Sequence, residues 1–67
     1  MNRAASEIRR QEVEAQVHRL EENIAFQQQM IAKLDQGGHD VRAAQMFLRR
    51  LKAQHDKLMA ERDLTNR

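Results

Sequence analysis

Apolar residues recur along both halves of the chain at alternating spacings of four and three positions. In the first half this seam comprises Val13, Val17, Leu20, Ile24, Gln27, Ile31 and Leu34, of which only Gln27 is polar. In the second half it comprises Val41, Ala44, Leu48, Leu51, His55, Leu58 and Arg62. This alternation is typical of helices that bury a narrow stripe against another helix.

The two seams come into register if the chain reverses at Gly37 and Gly38, its only two glycines. In every facing pair the two residue numbers then add to 75. The seven layers are Leu34–Val41, Ile31–Ala44, Gln27–Leu48, Ile24–Leu51, Leu20–His55, Val17–Leu58 and Val13–Arg62. We therefore predict an all-α fold, an antiparallel two-helix hairpin resembling a coiled coil.

The whole chain, residues 1–67, is predicted to form this single domain. We expect a first helix over about 6–36, a turn over 37–40 and a second helix over about 41–64. Glycine adopts positive φ without a Cβ penalty, and an aspartate accepts hydrogen bonds from free N–H groups at a helix start. Gly37, Gly38 and Asp40 are thus predicted to form the turn and cap, whereas His39 has no evident structural role.

Besides Arg62 at the end of the seam, two polar residues lie within it, Gln27 and His55. Such polar core layers cost stability but disfavour slipped packings, because each needs a partner. If His55 is buried, acidification should charge it without a partner and loosen the bundle.

A second apolar cluster lies beside the seam near the turn and contains Phe26, Met30, Ala43 and Phe47. A chain of 67 residues buries little core alone, so we expect this cluster to be a dimer or partner interface. The assembled state would be a homodimeric four-helix bundle. The alternative is that these side chains fold inward and widen the core of a single hairpin.

The composition offers little for catalysis. Cysteine is absent, which excludes disulfides and thiolate chemistry, and the only hydroxyl side chains are Ser6 and Thr65 near the two ends. His18 and His55 come within about one turn of each other in the predicted register, which could suggest zinc, but the motifs of zinc and di-iron bundles are missing. We expect no enzyme activity, no catalytic residue, no cofactor and no metal site.

No apolar run exceeds three residues, so neither a membrane span nor a signal core is expected, and a cytoplasmic location fits the lack of cysteine. The sequence therefore favours a noncatalytic hairpin that self-associates and binds another protein, whose identity the pattern does not specify.

The alternative function is a small RNA- or DNA-binding regulator. The second predicted helix carries Arg42, Arg49, Arg50 and Lys52 with no acidic residue between them. Against this, the net charge of the chain is only +2, and aromatic residues do not alternate with the basic ones.

Several short motifs lie on the heptad background: His18, the run IAFQQQMIAKL, Gly38-His39-Asp40, His55 and the ERDLT end. Over roughly residues 13 to 64 this pattern resembles a family of short, uncharacterised bacterial proteins from alphaproteobacteria. The resemblance implies no activity, but it implies that His18, His55 and the Gly-His-Asp turn are family features.

Overall fold

Two α-helices that pack against each other make up the part of the chain that the structure, a computed structural model, describes. Residues 3–65 are described, with side-chain environments for 4–64. Helix α1 spans Arg3–Gln36 and helix α2 spans Arg42–Thr65, and no strand occurs within 3–65. The all-helical, two-helix hairpin predicted from the seam is confirmed.

Both helices are long because neither contains a proline or an internal glycine, and good helix formers fill their surfaces. The hairpin is a rod of 57 × 14 × 14 Å. Helix α1 begins three residues before the expected start near Ser6 and is ten residues longer than α2 (34 against 24). Its first two turns therefore extend past the end of α2.

The core is the seam between the two helices. Val13, Val17 and Leu51 are buried, with exposed fractions of 0%, 3% and 7%. The other seam residues are half-buried, with the exception of Leu34, which is 36% exposed beside the turn. Burial is thus tightest toward the open end of the hairpin and weakest near the turn.

Helix α1 ends in a Schellman motif. The N–H of Gly38 donates to the carbonyl oxygen of Asp35 at 3.0 Å, and the N–H of His39 donates to that of Leu34 at 3.0 Å. Gly38 has φ of 79°, the left-handed region in which a side chain is strained. His39 therefore has a structural role after all, which its backbone N–H performs.

The carboxylate of Asp40 organises the start of α2. Its Oδ1 accepts a hydrogen bond from the backbone N–H of Arg42 at 3.0 Å, and the Arg42 guanidinium binds both carboxylate oxygens at 2.8–3.2 Å. These hydrogen bonds hold the pKa of Asp40 below its ordinary value of 3.8, the side-chain bonds contributing more than the backbone bond. Asp40 thus satisfies one free donor of the first turn.

Contacts between the helices fit the predicted register. Glu21, which follows the seam residue Leu20, binds His55, the predicted layer partner of Leu20, at 3.1 Å. Glu14, which follows Val13, lies 3.6 Å from Arg62, the predicted partner of Val13. In each contact the residue that follows a seam residue of α1 binds the α2 partner of that seam residue.

Candidate interaction face

One broad face of the hairpin carries the apolar patch formed by Phe26, Met30, Ala43 and Phe47. Phe26 is 57% exposed and Phe47 46%, while Met30 is 39% exposed. Ala43 is exposed as well. The phenylalanine side chains have therefore not folded into the seam, so the interpretation in which they widen the core does not describe this hairpin.

A groove of about 480 Å³ opens between the helices farther from the turn. Its lining comprises Gln16, Arg19, Leu20 and Asn23 of α1 with Gln54, Lys57 and Leu58 of α2. The two leucines belong to the seam, so the groove exposes part of the core between polar rims. A cleft of this volume is large enough to receive one or two large side chains.

The apolar patch and the groove occupy the same face. Phe26 follows Arg19 by seven residues and Met30 follows Asn23 by seven, while Phe47 precedes Gln54 by seven. Seven residues are two helical turns, so residues at this spacing point in nearly the same direction. We call this surface, containing the patch and the groove, the patch face.

The two broad faces differ in charge. On the patch face the helical spacing places the cations Arg19, Lys33, Arg50 and Lys57 along the outer rims, and none of them takes part in the ion pairs formed within residues 3–65. The opposite face carries the carboxylates of Glu14 and Glu21. The patch face also carries Glu12 and Glu61, both bound to Arg9, so its apolar groups are bordered mainly by positive charge.

The polar layer at His55 has a partner. The imidazole Nε2 lies 3.1 Å from Glu21 Oε2, and Nδ1 lies 3.9 Å from Asp56 Oδ1. The His55 side chain is only 20% exposed, whereas that of Glu21 is 54% exposed. The expectation that a protonated His55 would lack a partner is therefore wrong, because a carboxylate already faces the ring. Gln27, the other polar layer, is half-buried.

The four basic residues of the alternative nucleic-acid face, Arg42, Arg49, Arg50 and Lys52, do not all project in one direction. Arg42 is bound to Asp40, and its pKa is raised by that hydrogen bond. Arg50 follows Arg49 by one residue and so projects about 100° away around α2. Arg49 and Lys52 remain exposed on neighbouring positions of the other face.

The histidines do not converge. His18 binds Glu22 of its own helix at 3.0 Å with a side chain 73% exposed, whereas His55 faces Glu21. Within the described chain no group of three or more His, Cys, Asp or Glu side chains could hold a metal ion. No helix within 3–65 is long and apolar enough to cross a membrane.

Sequence reasoning found the patch but missed the groove and the pair formed by His55 and Glu21. The pair could have been predicted, since Glu21 follows Leu20, which faces His55 in the predicted register. The groove could not, because its volume depends on the rotamers of the side chains that line it.

No protein-family profile, curated protein or solved structure matches this chain.

Proposed function

We propose that this chain is a noncatalytic helical-hairpin interaction module that self-associates through its patch face into a four-helix bundle. The observation that carries the proposal is that Phe26 and Phe47 are both exposed on the face of the hairpin that also contains the open groove. Solvent-exposed aromatic side chains beside a cavity are typical of protein interaction sites.

The uneven burial of the hairpin supports this proposal. Five of the seven large exposed apolar side chains lie in the half nearer the turn: Phe26, Met30, Leu34, Met46 and Phe47. Only three apolar residues within 4–64 are buried, and Val13 alone is fully buried. A second hairpin stacked on the patch face would cover three of those five and add a second layer to a thin core.

The area available is adequate. The whole face, 57 Å long and 14 Å wide, is about the 800 Å² that each partner contributes to a standard protein interface, and the part that contains both helices is somewhat smaller. The noncatalytic part of the proposal rests on the chemistry of the side chains: Ser6 is the one hydroxyl among the described side chains, and it is exposed near the start of α1.

Sedimentation equilibrium tests the proposal. We expect a mass of twice 7.9 kDa at micromolar concentration. The Phe26→Glu substitution places a charge inside the proposed interface and should shift the chain to a monomer.

Met46→Glu is the matched control. Met46 is 55% exposed, nearly the same as Phe26, but it precedes Phe47 by one residue and so projects about 100° away from it. This variant should remain a dimer. A wild-type chain that sediments as a stable helical monomer at 100-fold higher concentration would refute self-association, and equal dissociation by both variants would refute the patch face as its site.

A further inference from the structure

We propose that the two hairpins stack with their turns at opposite ends, so that the phenylalanines of each fill the groove of the other. This inference rests on the self-association proposed above and specifies its geometry. It is carried by the presence of exposed aromatic side chains and an unfilled groove on one face of the same chain.

A two-fold axis can stack two identical faces with their rods parallel in only two ways. If the axis runs along the rods, the turns lie together and α1 lies over the partner's α2. If the axis runs across the rods, the turns lie at opposite ends and α1 lies over the partner's α1. Both arrangements are closed and use one face of each chain, as most homodimers do.

The first arrangement places patch against patch and groove against groove. Because residues of one layer then face each other, Arg19 comes opposite the partner's Lys57, and symmetry repeats the contact. The same pairing also places Arg50 opposite the partner's Phe26, but two like-charged pairs would border a groove that stays empty. Unfilled space and facing cations both oppose association.

The second arrangement matches each aromatic side chain with a groove. A two-fold axis places a side chain over the partner's groove when it passes midway between that side chain and the groove. On α1 the midpoint between Phe26 and the groove residues lies near Asn23, and on α2 the midpoint between Phe47 and the groove residues lies near Leu51. Asn23 precedes Ile24, and Ile24 and Leu51 form one seam layer, so the two midpoints lie at nearly the same height along the rod. A single axis through that layer therefore places both phenylalanines over the partner's groove.

Charges also fit the second arrangement. With the axis near Asn23, Arg19 comes opposite the partner's Phe26 and Lys57 comes opposite the partner's Phe47. A cation beside an aromatic ring is attracted by the electron-rich face of the ring. Lys33 comes opposite the partner's Glu12. Arg50 approaches its own symmetry mate at the rim, which is one like-charged contact in place of two.

A distance measurement between turns decides the orientation. The chain has no cysteine, so His39→Cys supplies a single site for a spin label at the exposed turn while it keeps the backbone N–H that closes α1. In the proposed dimer the two labels lie about 40 Å apart, since each turn is about 13 residues from the axis at 1.5 Å per residue. A separation below about 20 Å would show turns lying together and overturn the proposal, while self-association itself would stand.

A second variant locates the axis. Asn23→Cys should face its own copy and form an intermolecular disulfide under mild oxidation, and this cross-link should be lost when Phe26→Glu is added. A long separation between the turns without an Asn23 cross-link would overturn the pairing of phenylalanines with grooves. A monomeric wild-type chain would instead refute the function proposed above, so the two failures are distinguishable by sedimentation.

Discussion

Replacing each of the two glycines of the turn by alanine should have opposite effects. Gly38 has φ of 79°, and a Cβ added there would meet no atom within 4 Å. Gly37 does not have positive φ, and a Cβ added there would lie 3.1 Å from Cδ2 of the exposed His39 ring. The cost at Gly38 is thus backbone strain alone, whereas at Gly37 only a mobile side chain must move.

The magnitudes follow from those two situations. An alanine held in the left-handed region costs about 1–2 kcal/mol, offset by about 0.4–1 kcal/mol because the unfolded chain becomes less flexible. Gly38→Ala should therefore destabilise the hairpin by about 1 kcal/mol. Gly37→Ala keeps most of the same entropic benefit, so its effect should fall between zero and about 0.5 kcal/mol of stabilisation.

Thermal unfolding followed by circular dichroism at one protein concentration measures both variants. For a chain of this length, 1 kcal/mol corresponds to about 4–8 °C in the melting temperature. Gly38→Asn is the control, since asparagine tolerates the left-handed region and should lose less than alanine. Equal melting temperatures for Gly37→Ala and Gly38→Ala would refute the assignment of the strain to Gly38.

Three further predictions concern the cap, the core and the turn. The pKa of Asp40 is lowered by Arg42, so the carboxylate stabilises the fold above pH 3.8, and this contribution is lost as the pH falls through the lowered pKa. The difference in urea midpoint between wild type and Asp40→Ala should therefore shrink steadily below pH 3.8. Leu51→Ala should cost about 2–3 kcal/mol in urea unfolding, because Leu51 is 7% exposed, whereas Met46→Ala at 55% exposure should change stability by less than about 0.5 kcal/mol. His39→Ala should leave the helical circular dichroism unchanged, because its backbone N–H makes the hydrogen bond to Leu34, and a large loss of helicity would contradict that role.

The fold was predictable because two independent signals agree. The seam periodicity indicates helices, and the position of the glycines fixes how the seams face each other. Residues whose role depends only on the local backbone conformation, such as Gly38 at the left-handed position, could be predicted from the sequence alone.

The less predictable features depend on side-chain rotamers and on competition between partners. His55 could have bound Asp56 of its own helix or Glu21 of the other, and the shorter contact is with Glu21. The exposure of Phe26 was likewise open, because the same spacing permits a side chain to cover the seam or to point into solvent.

The uneven burial along the rod has a consequence for how the hairpin forms. The layer next to the turn, Leu34–Val41, joins residues seven apart in sequence, whereas Val13–Arg62 joins residues 49 apart. Closing a short loop costs less chain entropy than closing a long one, so the layers should form in order from the turn outward. The tightest burial, at Val13 and Val17, is gained last. A half-closed hairpin would thus have lost most of its chain entropy before reaching its best contacts, so partly formed hairpins are unstable and folding should be an all-or-none process.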